Sequence, residues 1–356
     1  MVLITFTIPF LVLLGILVFV HELGHFLVAK RLGIRVLRFS LGFGPKVFGW
    51  RRGETEYQVS AVPLGGYVKL FGEDPDEDVP AEDAAVSFSR RPVVHRIATV
   101  LAGPLMNFLL AIVVFGALGF LGTPVLQPVV GHVSSGMPAE AAGLRSGDRV
   151  TTISGVSVSS WEDMAEAIVS SEGRELELTV IRGAETLKIR VLPTRRKGHS
   201  LIGEVVDKPV IGISPAGKTE LRRNPAWLAP WIGLQETGRW AWMTLEVLVK
   251  MVAGRVSPRT LGGPIAIAQM AGDTAREGVL PFVLLLAVLS VNLGVLNLLP
   301  IPILDGGHIF FFLVEALRGR AVSVKNREVA QQVGLVILLV LMAFVFYNDI
   351  SRIMSG

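Results

Sequence analysis

The sequence predicts a polytopic α-helical membrane protein with four transmembrane helices and one inserted domain of mixed α and β structure. The first observation is composition: 51% of the 356 residues are hydrophobic and only 18% are charged, which is typical of chains that span a bilayer. The second is the presence of four apolar stretches suited to crossing the hydrocarbon core, at residues 3–29, 97–121, 282–304 and 333–347. The third is that residues 127–215 have the composition of a soluble domain.

Basic residues set the expected orientation of the four stretches. Lysine and arginine are concentrated after the first stretch and after the third. They are Lys30, Arg31, Arg35, Arg38, Lys46, Arg51, Arg52, Lys69, Arg90, Arg91 and Arg96, and then Arg318, Arg320, Lys325 and Arg327. Because such residues are enriched in cytoplasmic loops, both loops are expected in the cytoplasm, with the middle region and both termini outside. The chain lacks a basic run interleaved with aromatic residues, so no nucleic-acid partner is expected.

The first apolar stretch contains the sequence His21-Glu22-Leu23-Gly24-His25. Histidines four residues apart project from one face of a helix and can share a metal ion. Glu22 beside them can deprotonate a water molecule at that metal. Packed core histidines are the alternative, but three ionisable side chains within hydrocarbon favour a functional site. With no cysteine in the chain, any zinc must be held by histidine and carboxylate.

A catalytic zinc usually has three protein ligands, so a third candidate is needed. Asp305 is the acid at the end of the third apolar stretch, at a depth that can meet the histidines. Pro300 and Pro302 interrupt a helix just before it, and Gly306 and Gly307 allow tight backbone packing after it. The alternative is that Asp305 only caps the helix that follows.

Residues 55–70 predict a β-hairpin in the first cytoplasmic loop. Two short β-prone runs, Tyr57–Val62 and Tyr67–Leu70, flank a Pro-Leu-Gly-Gly sequence that is typical of a turn. Two interpretations stay open at this point. The segment is either a peripheral hairpin or a membrane-associated hairpin that dips toward the metal and offers a strand edge.

The middle region carries a pattern of short strands and one helix. Strands are predicted at 129–133, 149–153, 175–181 and 186–192, with a helix at 161–169. The run from Met137 to Val150 resembles PDZ domains in the permuted arrangement of bacterial proteases. The resemblance implies an extracytoplasmic domain that binds extended peptide beside a sheet edge, with a substrate C-terminus as the expected ligand. A domain used only as a steric spacer is the alternative.

A third part of the chain follows the middle region. Residues 225–253 are rich in tryptophan and predict helices lying at the outer membrane interface rather than a fifth span, because charged residues interrupt them. We therefore expect three parts: residues 1–126 and 216–356 as the two halves of a membrane core, and residues 127–215 as the inserted domain.

Taken together, these motifs resemble the site-2 protease family of intramembrane zinc metalloproteases. His21–His25 and Leu304-Asp305-Gly306 stand as that family's two signature motifs stand, and Ala102–Asn107 and Gly65–Lys69 match two further family motifs. The chain looks most like the bacterial sigma-E regulator protease branch. It departs from that branch in having one PDZ domain rather than two in tandem.

The resemblance implies roles for individual residues and a set of partners. It implies zinc ligands at His21, His25 and Asp305, a catalytic base at Glu22, substrate contacts at Asn297, Pro302, Gly65, Gly66 and Tyr67, and a polar core residue at Asn107. The resemblance assigns no role to His308. We expect His308 either to be structural or to contact a metal ligand without binding the metal itself. The implied substrates are single-span proteins of the anti-sigma factor type and remnant signal peptides, in the bacterial inner membrane.

Two other functions compete with proteolysis. A zinc transporter or metal-binding channel would also need buried histidine and aspartate, but it would not need Glu22 as a free base or a PDZ domain. A non-catalytic scaffold acting through its PDZ domain would tolerate substitutions in the metal site. The agreement of two signature motifs with the domain order favours the protease.

Overall fold

The computed structural model describes residues 2–74, 79–199 and 205–355. The α-helices of this part are α1 Val2–Arg31, α2 Val93–Leu121, α3 Pro138–Ala141, α4 Trp161–Ser170, α5 Ala229–Val252, α6 Pro264–Glu277, α7 Val279–Asn297, α8 Asp305–Arg318 and α9 Val324–Ser355. Short 3₁₀ turns lie at Ala81–Val86, Ala226–Leu228 and Pro258–Thr260.

The strands fall into one long pair near the N-terminus and several short ones in the middle of the chain. They are β1 Val36–Arg52, β2 Thr55–Leu70, β3 Thr123–Leu126, β4 Val130–Val133, β5 Arg149–Ile153, β6 Val156–Ser157, β7 Leu176–Arg182, β8 Glu185–Val191, β9 Thr194–His199, β10 Val205–Val210, β11 Ile213–Pro215 and β12 Thr219–Arg222. Two compact units result. Residues 1–118, 227–249 and 261–356 form the helical unit, and residues 119–226 and 250–260 form the inserted unit.

Four helices of the helical unit are long and apolar enough to cross a membrane, namely α1, α2, α7 and α9. The prediction of four such helices is therefore confirmed in length and composition. The third apolar stretch, residues 282–304, overlaps α7, which begins at Val279 and ends at Asn297, before the break expected at Pro300 and Pro302. Pro300 and Pro302 follow within the next turn, where proline disrupts a continuing helix, and the chain resumes as a separate helix, α8.

The N-terminal strand pair differs from the predicted hairpin. The chain reverses between Arg52 and Thr55 and again between Val62 and Gly66, because residues 38–41 of β1 pair with 56–59 in parallel order and with 66–69 in antiparallel order. The Pro-Leu-Gly-Gly sequence lies at the second reversal, but the two runs beside it pair with β1 between them rather than with each other. Each strand bends, and the segment around Arg38 pairs with both Glu56 and Lys69. The result is a curled sheet in which residues 66–70 form one edge. Pairing with β1, which the sequence pattern did not predict, decides this register.

Close approaches at glycine bring the helices of this unit together. A Cβ at Gly233 of α5 would overlap the Ile112 carbonyl of α2, and one at Gly272 of α6 would overlap Phe6 of α1. The Thr244 hydroxyl of α5 also donates to Asn292 Oδ1 of α7 at 2.7 Å. α5 thus packs along α2 and α7 as one helix, and its expected interfacial location stays a prediction.

The inserted unit has its own core around a four-stranded sheet in the order β6-β5-β7-β8. Val150, Leu178 and Val180 of the sheet are fully buried, and Met164 and Ile168 of α4 pack onto them. The predicted strands and helix of this region are present within about two residues of their expected ends. The strands β9 and β10 were not predicted.

Candidate metal centre

Three side chains from two distant segments meet in the helical unit. Nε2 of His21 lies 3.2 Å from Nε2 of His25. Oδ2 of Asp305 lies 3.1 Å from the first nitrogen and 3.6 Å from the second. All three side chains are largely buried, with 11%, 13% and 18% of their surface exposed. This is the arrangement of donors that a metal ion requires.

Local sequence explains why the two histidines face α2. His21 and His25 occupy one face of α1, one turn apart. Gly24 between them carries no side chain, and a Cβ there would overlap the Ala102 carbonyl of α2. Gly103 is equally necessary, because a Cβ at that position would overlap both imidazole rings. The two glycines let α1 and α2 approach closely at the level of the histidines.

Asp305 reaches the histidines because the chain turns tightly after α7. The segment from Leu298 to Leu304 is not helical, and Asp305 is the first residue of α8. A Cβ at Gly306 would overlap the carbonyls of Leu298 and Leu299, and one at Gly307 would overlap the Ile301 carbonyl. Two consecutive glycines therefore allow α8 to begin against the segment that precedes it.

The donor set fits a zinc ion. With zinc–nitrogen distances near 2.0–2.1 Å, tetrahedral ligands are separated by roughly 3.3 Å, and the three observed separations are 3.1, 3.2 and 3.6 Å. Oδ2 of Asp305 is buried and makes no hydrogen bond among the described residues, although it lies this close to His21. Its lone pair and the histidine nitrogens therefore converge on a shared point rather than on one another.

Residues of α2 contact both imidazoles at Nδ1, the ring nitrogen that does not face Asp305. Nδ1 of His25 donates to the Thr99 carbonyl at 2.9 Å, which leaves the lone pair of its Nε2 free for a metal. Nδ1 of His21 lies 3.1 Å from Nδ2 of Asn107, a fully buried residue. The predicted polar core residue therefore contacts a candidate ligand directly.

A cavity of about 290 Å³ opens beside these groups within the helical unit. Its walls include Glu22, the edge strand of β2 and parts of α2, α8 and α9. The lining residues are His21, Glu22, His25, Gly66, Tyr67, Val68, Leu70, Glu73, Phe88, Ser89, Arg96, Thr99, Val100, Asp305, His308, Phe311, Phe312, Val324, Arg327, Glu328 and Gln331. Polar and apolar groups both line it.

The remaining predicted residues divide into two groups. Gly66 and Tyr67 line the cavity, and a Cβ at Gly66 would lie 3.2 Å from Cγ of Glu22. Gly65 precedes them in β2, with a φ of +115° that glycine tolerates, and does not line the cavity. Asn297 and Pro302 also lie outside its lining, at the end of α7 and in the turn before α8.

An ion cluster on the cavity wall was missed from the sequence. Both Nη atoms of Arg96 bind Glu315, at 3.1 and 2.5 Å, and Arg327 Nη2 binds the same carboxylate at 3.3 Å. Both guanidinium groups lie over the ring of Phe312. In the sequence the two arginines contributed only to the orientation argument. Arg96 and Glu315 are 219 positions apart, so their pairing leaves no local pattern.

His308 and Glu73 also line the cavity without having been assigned there. His308 is one turn after Asp305 on α8, and its ring makes no hydrogen bond within the described chain. The spacing of three residues from Asp305 was the available signal, since it places both side chains on one helix face.

Comparison with known proteins identifies the family. The family described as Peptidase family M50 matches residues 9–341. A relative from Agrobacterium fabrum, provisionally named a zinc metalloprotease, is 38% identical over 98% of this chain and 97% of its own length. Zinc metalloprotease RasP of Geobacillus kaustophilus is 32% identical over 97% of each chain.

A solved PDZ domain, from the SdrC-like protein of Listeria monocytogenes, covers 24% of this chain and 84% of its own at 25% identity, with a TM-score of 0.20. A TM-score this low identifies no fold, so the PDZ assignment of the inserted unit stays a prediction. The family match and the relatives, by contrast, span nearly the whole chain. The chain belongs to Peptidase family M50, the site-2 protease family of zinc metalloproteases.

Proposed function

We propose that this chain hydrolyses peptide bonds within or near the transmembrane segments of single-span proteins, with zinc held by His21, His25 and Asp305. The observation that carries the proposal is the convergence of three donor atoms, 3.1–3.6 Å apart, beside a cavity that also holds Glu22. Membership of Peptidase family M50 supports the metal and the reaction class.

Glu22 is the proposed general base. A zinc ion held by His21, His25 and Asp305 would polarise the scissile carbonyl and lower the pKa of a water molecule. Glu22 takes a proton from the attacking water and returns it to the leaving amine. Its side chain lies between α1 and Gly66 of β2, whose missing side chain gives the carboxylate room at the cavity.

The edge strand of β2 is the proposed binding site for the unwound substrate. A transmembrane helix hides its carbonyls in hydrogen bonds, so a segment must become extended before hydrolysis. Gly66, Tyr67 and Val68 line the cavity on the edge of the curled sheet, where an extended peptide can add as a further strand. Asn297 and Pro302 lie outside the cavity, so contacts there would involve residues flanking the scissile bond.

The substrates we propose are anti-sigma factor-like proteins already trimmed outside the membrane, and remnant signal peptides. The proposed topology places residues 32–92 and the α8–α9 connection in the cytoplasm, as their basic residues favour. The inserted unit is then extracytoplasmic in the bacterial inner membrane. We propose that it is a PDZ domain that admits trimmed substrates, through peptide binding, steric exclusion or both.

The test is co-expression with a tagged single-span anti-sigma factor stub, measuring cleavage and zinc content together. Glu22→Gln is expected to abolish cleavage and retain zinc, because the ligands are unchanged and only proton transfer is lost. Glu236→Gln, at a surface ion pair of α5, is the matched control and should cleave normally.

Two outcomes would contradict the proposal. Full cleavage by the Glu22→Gln variant would remove the assigned base. Zinc uptake into vesicles without any chelator-sensitive cleavage of the stub would support a transporter instead.

A further inference from the structure

The orientation of His21 poses a chemical requirement. If its Nε2 is to bind a metal beside Asp305, that nitrogen must carry a lone pair, so the single proton of the neutral imidazole must sit on Nδ1. A buried N–H then needs an acceptor. His25 meets this requirement through the Thr99 carbonyl, at 2.9 Å.

The only side chain hydrogen-bonded to His21 Nδ1 among the described residues is Asn107, whose amide nitrogen lies 3.1 Å away. An amide nitrogen is a donor, so this orientation would force the proton of His21 onto Nε2 and block the metal. The amide oxygen of Asn107 is meanwhile buried without any hydrogen-bond partner. Exchanging the oxygen and nitrogen of the amide, which have nearly the same shape, places an acceptor at His21 Nδ1 and removes the conflict with the metal.

We propose that Asn107 is a positioning residue whose Oδ1 accepts a hydrogen bond from Nδ1–H of His21 and thereby fixes the ring's tautomer and orientation toward the metal. The inference rests on the proposed metal site. It assigns Asn107 an acceptor role.

The surroundings of Asn107 hold it in place for this role. The side chain of Asn107 is fully buried. The backbone carbonyl of Asn107 accepts a hydrogen bond from Ser290 Oγ of α7 at 2.8 Å. Thr99, Gly103 and Asn107 follow one another at four-residue spacing along α2, which forms a continuous stripe on the helix. The Thr99 carbonyl contacts the His25 ring and the Asn107 amide contacts the His21 ring. Gly103 between them leaves room for both rings.

The experiment measures zinc affinity of the full-length protein in detergent, by competition with a chromophoric chelator, for two substitutions of similar size. Asn107→Asp retains acceptors at both oxygens, and its affinity is expected within about threefold of the unchanged protein, or tighter. Asn107→Leu has no acceptor, and its affinity is expected to fall about 10–100-fold, the usual effect of losing a partner behind a metal ligand. Cleavage by Asn107→Leu should recover at saturating zinc.

Three results would overturn the proposal: unchanged affinity in Asn107→Leu, an equal loss of affinity in Asn107→Asp, or a loss of cleavage in Asn107→Asp at full zinc occupancy. If Asn107→Leu does not fold, ¹⁵N NMR of the histidine-labelled, zinc-loaded protein decides, since a proton absent from Nδ1 of His21 refutes the assignment. His21→Ala separates the two levels of inference. Normal zinc content in that variant would refute the metal site itself, whatever Asn107 does.

Discussion

Gly103→Ala tests how the packing of α2 against α1 creates the metal site. The new Cβ would lie 2.5 Å from Cε1 of His25 and 2.9 Å from Cε1 of His21, whereas carbon atoms normally approach to about 3.5–4.0 Å. One or both rings must therefore move by roughly 1 Å, given that contact distance. Metal–ligand distances tolerate only about 0.2 Å, so a shift of this size should disrupt the site.

Stability should respond much less than zinc binding. Overpacking costs about 1–3 kcal/mol, while replacing glycine with alanine inside a helix returns about 1 kcal/mol. We therefore expect Gly103→Ala to fold, with a free energy of unfolding lower by at most about 2 kcal/mol. Zinc affinity should fall by about 10-fold or more, because the loss exceeds that of a single supporting contact.

The assay combines chelator competition for zinc, cleavage of the tagged stub and thermal unfolding in detergent. Gly15→Ala is the matched control, since Gly15 lies on α1 as the histidines do and a Cβ there meets nothing within 4 Å. Its zinc affinity and cleavage should be unchanged. Normal zinc affinity in Gly103→Ala would show that the close approach of α2 does not position the imidazoles.

Two further predictions concern the inserted unit. Replacing residues 127–215 with a short Gly-Ser linker should leave cleavage of a pre-trimmed stub largely intact and permit some cleavage of the untrimmed protein. The measurement is the ratio of these two cleavage rates, with and without the inserted unit. Loss of both reactions in a zinc-loaded protein would refute the gating role. A short linker can bridge this deletion, because β3 and β12 pair at its two ends, with Leu126 opposite Thr219. The second prediction concerns the stability of the inserted unit at low pH. Burial acts to raise the pKa of Asp148, but hydrogen bonds from the Arg182 side chain and from the Arg145 backbone amide outweigh burial and hold that pKa below its usual range. Because the folded-state pKa lies below the unfolded one, this stabilisation is present above about pH 4 and is lost as pH falls through the folded pKa. Arg182→Met should therefore lower the stability of the unit at neutral pH and flatten the acid dependence of its amide exchange. An unchanged dependence would contradict the assignment.

The sequence by itself determined which candidate reactive groups lie close together. His21, Glu22 and His25 lie within one helical turn, so helix geometry alone places them together. The four apolar helices likewise follow from length and composition, which depend on no tertiary contact. The short strands of the inserted unit were predicted because alternating hydrophobicity is a local signal.

The sequence predicted a break at Pro300 and Pro302 and tight backbone packing at Gly306 and Gly307. Only the tertiary structure decided that this brings Oδ2 of Asp305 to 3.1 and 3.6 Å from the two imidazole nitrogens. It also decided the course of the N-terminal strands. The sequence predicted a reversal at Pro-Leu-Gly-Gly, but the tertiary structure decided that the two runs beside it pair with residues 38–41 of β1 rather than with each other.

The contacts that support the metal site were equally invisible in the sequence. Asn107 faces His21 across 86 positions of the chain, and Arg96 binds Glu315 across 219. Such pairs leave no periodicity in a single sequence, because their spacing depends on how separate helices pack. Residue types and local spacing therefore predicted the reactive groups, whereas helix packing decided which buried polar atoms hold those groups in place.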